Sequence, residues 1–238
     1  MEKVRPVIFK WRQFEPAMIV ASVNWYLRYS LSLRDVEELL IERGVSADHT
    51  TLWRWVQRYA PELEKRLRPG LKPTNKSWRV DETYIRVKGK WTYLYRAVDS
   101  TGATIDFLLS AHRDAAAAKR FFQKALRSVG HPTPRVINVD KHACYPPVVV
   151  ELKKEGFLRR CCRLRPVQYL NNILEQDHRA IKRRVKASQG FRSFWAARRT
   201  IAGYEAVNMI RKGQVRRVGK SEVAQQLRLV AQLFELTA

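Results

Sequence analysis

The sequence predicts an α/β domain preceded by a small all-helical domain, and two changes of pattern support this division. Apolar residues recur at helical spacing through residues 15–67, whereas runs rich in aromatic and β-branched residues begin at Trp78. Between these regions, turn-forming residues are dense from Pro69 to Asn75. The predicted domains are residues 1–68 and 78–215, joined by a linker at 69–77 and followed by a helical tail at 216–238.

Three helices are predicted in the first domain. Pro16 can begin the first, because proline is tolerated at the first helical position. Ser32 followed by Asp35 resembles a capping box at the start of the second helix, and Gly44 ends that helix. Asp48 can cap the third, whose inward face is formed by Leu52, Trp55, Val56 and Tyr59. A helix, a tight turn with glycine and a second helix are typical of the helix-turn-helix motif.

The outward face of the third helix carries the first set of predicted DNA contacts. These residues are Thr50, Thr51, Arg54 and Arg58. Hydroxyl and guanidinium groups suit phosphate and base-edge contacts in a major groove. A plain three-helix bundle with basic side chains fits this segment equally well, and the charge of the whole chain favours the DNA-binding interpretation.

The second domain contains strands and helices in an informative order. Strands are predicted at residues 78–87, 90–99, 104–110, 135–140 and 158–164, and helices at 114–129, 148–155, 171–187, 193–212 and 221–235. Lys88-Gly89 and Asp99-Ser100-Thr101-Gly102 form hairpin turns, which make the first three strands antiparallel. Three such strands followed by alternating helices and strands predict a ribonuclease-H-like α/β fold, of the kind found in retroviral integrase cores.

Two groups of aromatic residues have both a packing and a binding interpretation. Trp91, Tyr93 and Tyr95 alternate on one strand face and are expected in the sheet core rather than on a base-stacking surface. Phe191, Phe194 and Trp195 are expected to pack between helices, although they could also contact unpaired DNA.

The charge of the chain predicts a polyanionic partner. There are 46 Lys and Arg residues against 22 Asp and Glu residues, a net charge of +24. The excess is concentrated, because residues 153–220 contain 19 basic and 4 acidic side chains. A field of this density attracts phosphates and makes binding steeply dependent on salt. Nucleic acid is therefore the expected ligand.

Three carboxylates form the predicted catalytic and metal site. Asp81 lies in the first strand and Asp140 ends the fourth, and these strands are neighbours in the predicted fold, so the two side chains can share a cation. Glu175 lies on the helix at 171–187. Carboxylates suit Mg²⁺ or Mn²⁺, and phosphoryl transfer gains from two ions about 3.5–4 Å apart. Glu82, by strand alternation, and Asp177, about 200° around the helix from Glu175, are expected to point elsewhere.

The helix that carries Glu175 also carries a second set of predicted DNA contacts. Arg179, Lys182 and Lys186 follow Glu175 at positions i+4, i+7 and i+11, which lie on one helical face. This stripe would hold a DNA strand beside the catalytic carboxylate. His142 and His178 lie close in sequence to the carboxylates, and whether either histidine joins the site is left open.

Six blocks of the chain carry a family resemblance. They are Val80-Asp81-Glu82-Thr83-Tyr84, Tyr93-Leu94-Tyr95-Arg96-Ala97-Val98-Asp99, Asp140-Lys141-His142-Ala143-Cys144-Tyr145-Pro146-Pro147, Tyr169-Leu170-Asn171-Asn172, Glu175-Gln176-Asp177-His178-Arg179-Ala180-Ile181-Lys182 and Thr200-Ile201-Ala202-Gly203-Tyr204-Glu205-Ala206. Together they resemble the DDE transposases of bacterial insertion sequences, and within them the compact IS-six family. Thirty-four residues separate Asp140 from Glu175, and Lys182 follows that glutamate by seven, as the family pattern requires.

The resemblance implies a specific activity. It implies a transposase that binds the inverted terminal repeats of its own element, cleaves their 3′ ends and joins them to target DNA, forming cointegrates by replicative transposition. It also implies a homo-oligomer, because two DNA ends must be held together. The alternative from another class is a non-catalytic helix-turn-helix DNA-binding regulator, and a ribonuclease or repair nuclease of the same fold is a lesser alternative.

Cysteine usage and hydropathy predict a soluble, intracellular protein, and the resemblance implies the bacterial cytoplasm and association with the nucleoid. Cys144, Cys161 and Cys162 form no CxxC pair and are expected to be reduced thiols. The N-terminus has no apolar core of signal-peptide length. The longest apolar run, Pro16 to Leu27, has 12 residues. A spanning helix needs roughly 20, so no membrane contact is expected.

Overall fold

The computed structural model of the protein describes residues 5–10, 12–128, 130–140, 142–167 and 172–236, and within the last range it leaves the side chains of 172 and 173 undescribed. The helices are α1 Pro16–Arg28, α2 Leu33–Ile41, α3 His49–Leu67, α4 Ala115–Leu126, α5 Tyr145–Lys154, α6 Asn172–Ala187, α7 Phe194–Arg211 and α8 Val223–Leu233. The strands are β1 Ser77–Val87, β2 Lys90–Asp99, β3 Thr104–Ser110, β4 Val136–Val139 and β5 Arg163–Pro166. The residues Lys141, Tyr169, Leu170 and Asn171 of the resembling blocks lie outside the described ranges.

The chain forms two compact units, of which the first contains residues 1–71 and 183–238. Its helix starts follow the predicted caps. The Ser32 hydroxyl accepts a hydrogen bond from the Asp35 amide at 3.1 Å, and the Asp35 carboxylate accepts one from the Ser32 amide at 2.7 Å. This reciprocal pair is the predicted capping box. Gly44 has φ 72°, a left-handed conformation that glycine adopts without strain, and it ends the turn after α2.

Helix α3 packs closely against α7 inside the first unit. Its predicted inward residues are buried: Leu52, Trp55, Val56 and Tyr59. Gly203 of α7 lies at the point of closest approach, where a β-carbon would be 2.6 Å from Cβ of Ala60 and 2.7 Å from Cδ1 of Leu27. Helices can approach this closely only where one of them lacks a side chain, so Gly203 determines the spacing of α7 from α3 and α1.

The second unit, residues 72–182, is built on a five-stranded sheet. The strand order is β3-β2-β1-β4-β5. β1 pairs antiparallel with β2 and β2 with β3, whereas β4 pairs parallel with both β1 and β5. This order and these directions confirm the predicted ribonuclease-H-like fold. The short connection after Val87 and the turn after Asp99 are the predicted hairpins.

Helices α4 and α5 cover one face of the sheet. The core there combines strand residues such as Trp78, Val80 and Tyr95 with Phe121 and Phe122 of α4. Phe121 stacks on Tyr95 with ring centroids 5.8 Å apart. Tyr95 is fully buried, as predicted, but the expectation for Trp91 is wrong, because half of that side chain is exposed. Near the turn of the β1–β2 hairpin, Tyr84 and Trp91 on this face are exposed rather than covered by α4 and α5. Alternation predicts which face a residue is on but not whether a helix covers that part of the face.

Among the predicted boundaries in this unit that are wrong, two have identifiable reasons. Helix α5 begins at Tyr145 rather than at 148, because Pro146 and Pro147 occupy its first turn, where a missing amide hydrogen has no cost. Strand β5 begins at Arg163 rather than at 158. The Leu158 amide instead donates to the Leu152 carbonyl at 3.1 Å, so Leu158 closes the end of α5.

The compact units differ from the predicted domains in the second half of the chain. The prediction assigned residues 78–215 to one domain, whereas residues 183–215 have their contacts with the N-terminal helices. The packing of α7 on α3, and of both on α1, accounts for this. None of the described helices is long and apolar enough to cross a membrane.

Candidate active site

The sheet places Asp81 beside Asp140. β1 and β4 are in parallel register, with Trp78 opposite Ile137 and Arg79 opposite Asn138. Continuing that register by two residues brings Asp81 opposite Asp140, just beyond the end of β4. Each residue offers a carboxylate oxygen, and these oxygens lie within 4.8 Å of each other and of one from Glu82. Two of the three predicted catalytic carboxylates are therefore held together by strand pairing.

Glu82 is the third member of this acidic group, and its presence corrects one expectation. Alternation does place it on the face of Val80, which α4 and α5 cover, and its carboxylate accepts a hydrogen bond from the Tyr145 hydroxyl of α5. The inference that it points away from the site is nevertheless wrong. Because β4 ends at Val139, β1 has a free edge at this height, around which side chains from both faces converge.

Arg113 lies among these carboxylates and was not predicted. Its Nε donates to Oε1 of Glu82 at 2.5 Å, and its Nη2 lies 3.7 Å from Oδ2 of Asp140. The residue lies between β3 and α4, where no periodic pattern in the sequence marks it. Its guanidinium offsets the repulsion among neighbouring negative charges, a role that a bound cation could also fill.

Burial shifts the pKa values of two neighbouring groups, the Asp81 carboxyl and the His178 imidazole. It raises the pKa of the Asp81 carboxyl to about 7, with a further contribution from the negative charge of Glu82. The Nδ1 atom of His178 lies 4.0 Å from Oδ2 of Asp81. Burial, and then the nearby Arg96 cation, lower the pKa of His178 to about 3, so its imidazole is neutral. His178 is therefore a neutral neighbour of Asp81.

A buried ion pair attaches α6 to the sheet beside the site. The Arg96 side chain is fully buried, and its Nη2 donates to Oδ2 of Asp177 at 3.1 Å. Arg96 lies opposite Asp81 in the β1–β2 register, so both side chains are on the face that α6 approaches. Asp177 is used in this contact and therefore faces the sheet, whereas Glu175 is on the exposed side of α6.

Glu175 occupies a different environment on the same helix. Its side chain is 60% exposed, and Nη2 of Arg179 lies 4.0 Å from its Oε2. It is not part of the described group of oxygens around Asp81 and Asp140. The predicted stripe is present, because Arg179, Lys182 and Lys186 are exposed while Leu174 and His178 are buried. The structure thus brings Asp81 and Asp140 together and leaves Glu175 on the exposed face of α6.

The donor set around Asp81 fits a hard divalent cation. Its candidate ligands are carboxylate oxygens, which Mg²⁺ and Mn²⁺ prefer. The side chains of Asp81 and Asp140 are 19% and 27% exposed, whereas that of Glu82 is only 3% exposed. His142 contributes through its backbone, since its amide donates to Oδ1 of Asp140 at 3.1 Å. Its Nδ1 instead accepts from the Cys144 amide at 3.4 Å. The His142 ring is therefore directed to the start of α5 rather than to the carboxylates.

The recognition face of α3 differs from the prediction in its hydroxyl groups. Thr50 donates its hydroxyl to Asp48 at 2.5 Å, and Thr51 does so at 2.9 Å. These bonds hold the pKa of Asp48 well below its usual range. The two threonine hydroxyl hydrogens are thus used in capping α3. Arg54 and Arg58 remain exposed and line a cleft of about 210 Å³ together with Arg12, Gln13, Phe14, Thr51 and Trp55.

Comparison with known proteins identifies the family. A family profile described as a DDE domain matches residues 75–214. The chain belongs to the DDE transposases of bacterial insertion sequences. The transposase of the insertion sequence-like element IS431mec of Staphylococcus aureus is 39% identical over 204 residues, which cover 86% of this chain and 88% of that protein. The transposase of IS257 in transposon Tn4003, also from Staphylococcus aureus, is 38% identical over the same share. The predicted resemblance to the IS-six family is confirmed, and with it the assignment as a DDE polynucleotidyl transferase.

Solved integrase structures show a more distant likeness. The catalytic core domain of HTLV-2 integrase in complex with magnesium is 17% identical with a TM-score of 0.43, over 60% of this chain and 88% of that one. The catalytic core domain of BIV integrase is also 17% identical, with a TM-score of 0.44, over 66% of this chain and 97% of that one. The family is shown by the sequence relatives, and the fold by the strand order of the sheet.

Proposed function

We propose that this protein binds the terminal inverted repeats of its own insertion sequence, cleaves their 3′ ends and joins them to target DNA, by a replicative route that forms cointegrates. The single observation that carries the proposal is the pairing of Asp81 with Asp140 at the end of β4, inside a DDE domain. A regulator that only bound DNA would have no use for two carboxylates held this close against their mutual repulsion.

The metal sites of the proposed reaction are formed by carboxylates. Asp81 and Asp140 would hold Mg²⁺ or Mn²⁺, and Glu175 would complete the arrangement, for which we propose two ions. When bound, the ions would activate a water molecule or a DNA 3′-hydroxyl as the nucleophile and stabilise the leaving oxygen. Glu175 is supported by its position one helical turn before His178, which approaches Asp81. Glu82 holds Arg113 and Tyr145 at the rim of the site.

The DNA contacts follow from the distribution of exposed charge. Arg179, Lys182 and Lys186 form a cationic stripe beside Glu175, so we place the phosphates of the terminal DNA strand there. Arg54 and Arg58 of α3 contact the repeat as duplex, and Thr50 and Thr51 contribute mainly by capping α3. We expect a homo-oligomer that holds two ends, acting at the nucleoid in the cytoplasm.

The experiment that tests this function uses duplexes ending in the inverted repeats that flank the gene. Wild type and Asp140→Asn are compared with Mg²⁺, with Mn²⁺ and with chelator. We expect metal-dependent nicking that leaves a 3′-hydroxyl at the repeat end, lost in the variant, while repeat binding persists in both. Tight repeat binding without cleavage in any metal would contradict the proposal and favour the DNA-binding regulator.

A further inference from the structure

Two large aromatic side chains lie exposed on the strand that carries Asp81 and on the next strand. Tyr84 of β1 is 53% exposed and Trp91 of β2 is 50% exposed. Their ring centroids are 5.0 Å apart at an interplanar angle of 81°. We call this pair the aromatic platform. Large aromatic side chains are normally buried on folding, so an exposed pair near a candidate active site indicates a ligand-binding surface.

The platform is close to the acidic group. Tyr84 is three residues after Asp81 on a continuous strand, a separation of about 10 Å along the backbone. It is also two residues after Glu82, so both side chains lie on the same face of β1. Asp81 points to the opposite face of β1 by the same alternation, so a DNA strand that reaches both the acidic group and the platform passes around the free edge of β1 beyond Val139.

Two cations border the platform. The Lys182 ammonium lies 4.6 Å from the centroid of the Tyr84 ring, and the Arg86 guanidinium lies 4.7 Å from that of Trp91. Both cationic side chains are exposed. Exposed aromatic rings interleaved with lysine and arginine are typical of surfaces that bind single-stranded nucleic acid, where bases stack and phosphates meet the cations.

We propose that the aromatic platform is a stacking site for an unpaired base at the end of a DNA strand. The base takes a ring face of Tyr84 or Trp91 that a cation now covers, and Lys182 and Arg86 transfer to the adjoining phosphates, which are stronger partners. This inference rests on the proposed function, because the platform would bind a base that loses its pairing partner when the end of the terminal DNA strand reaches the carboxylates.

The experiment measures the preference for opened ends without requiring cleavage. In chelator, binding is compared for a short duplex and for the same duplex with mismatched terminal pairs, one of them carrying 2-aminopurine. The wild type should prefer the opened end and quench the 2-aminopurine fluorescence. Tyr84→Ala with Trp91→Ala should reduce that preference roughly tenfold and abolish the quenching, while binding of the paired duplex changes little. Trp91→Phe in an otherwise wild-type chain keeps an aromatic ring and should retain most of the preference.

Trp195 provides a matched control. It is 65% exposed and has the Arg198 guanidinium 5.5 Å from its ring centroid, so it resembles the platform in chemistry but lies on α7. Trp195→Ala should leave the preference intact. Loss of the preference in Trp195→Ala, or its retention in the double variant, would overturn the proposal. If the wild type preferred opened ends but did not cleave repeat ends, the proposed function would be refuted, whereas the stacking role of the platform would still be supported.

Discussion

The two halves of the candidate active site are held in different ways. The sheet half, Asp81 and Asp140, is positioned by strand register, is partly buried and is contacted by Arg113 and His178. The helix half, Glu175, is 60% exposed and has Arg179 at 4.0 Å as its ionic neighbour. Backbone pairing between strands restricts the position of a carboxylate, whereas the carboxylate of an exposed glutamate occupies several positions because its side chain samples several rotamers. We therefore expect the sheet half to exist without DNA and the helix half to be ordered by DNA.

The largest expected effect is the loss of chemistry from either half. Asp81→Asn, Asp140→Asn and Glu175→Gln should each lower repeat-end cleavage by roughly a thousandfold or more, since each removes a proposed metal ligand. Binding of the terminal repeat should survive in all three. The check is single-turnover cleavage at saturating protein beside an equilibrium binding assay. Activity that persisted in one variant would remove that residue from the proposed site.

A second comparison separates Glu82 from Glu175. Without its carboxylate, Glu82→Gln leaves Arg113 free to pair more strongly with Asp140, in competition with metal. The Mg²⁺ concentration for half-maximal cleavage should rise roughly tenfold while the rate at saturating Mg²⁺ is largely retained. Glu175→Gln should be inactive at every Mg²⁺ concentration. The reverse pattern, with Glu82→Gln beyond rescue, would make Glu82 the third ligand in place of Glu175.

The pKa of Asp81 makes the sheet half sensitive to pH. Its folded value of about 7 exceeds the unfolded value of about 3.9, so the folded state binds more protons between these limits and loses stability as pH rises. In chelator, Asp81→Asn should remove about 1.4 kcal/mol of this loss per pH unit. Urea unfolding at pH 5 and pH 8 tests this, with Glu175→Gln as the charge-matched control. Wild type and Asp81→Asn with parallel pH profiles would exclude an elevated Asp81 pKa.

A substitution in the first unit tests whether the sheet half is autonomous. Gly203→Ala places a methyl group 2.6 Å from Cβ of Ala60, so it should destabilise that unit by about 1–3 kcal/mol. Ala60→Gly in the same chain should restore part of the loss, because it removes the shortest of the clashes while those with Leu27 Cδ1 and Cδ2 remain. Thermal unfolding measures both effects. Divalent-metal affinity should stay at the wild-type value, and a parallel loss would show that the metal site depends on the first unit.

The smallest expected effect concerns the recognition helix. Arg54→Ala should weaken binding of the terminal repeat roughly tenfold relative to random duplex, because a base contact is worth about 1–3 kcal/mol. Thr50→Val should change binding less, since that hydroxyl donates to Asp48. Competition between the repeat and random duplex distinguishes these effects. Equal losses on both DNAs after Arg54→Ala would contradict the assignment of α3 as the reading helix.

The elements that could be predicted from sequence are those with strong local signals. β2 and β3 have the predicted bounds, because glycine-containing hairpin turns limit β2 at both ends and β3 at its start. The capping box at Ser32 and the buried face of α3 also follow from local patterns. β5 was misplaced because Leu158, an apolar residue typical of a strand, instead closes the end of α5. That choice depends on tertiary packing rather than on local propensity.

The candidate site could be predicted where family pattern and strand register coincide. Asp81 and Asp140 are neighbours because they lie two residues beyond the last pair of the parallel β1–β4 register, Arg79 with Asn138. Strand alternation alone excludes Glu82 from the site, because it does not take into account the free edge of β1 beyond Val139. Arg113 could not have been found in this way, because it reaches the site from a connection whose path is determined by the whole sheet.

Whether the sheet half binds metal without DNA is tested most directly by Mn²⁺ binding in the absence of DNA, monitored by electron paramagnetic resonance for wild type, Asp140→Asn and Glu175→Gln. We expect Asp140→Asn to lose roughly tenfold or more in affinity and Glu175→Gln to bind Mn²⁺ as the wild type does. Normal Mn²⁺ binding by Asp140→Asn, or an equal loss of affinity in Glu175→Gln, would contradict a metal site formed by the sheet half alone.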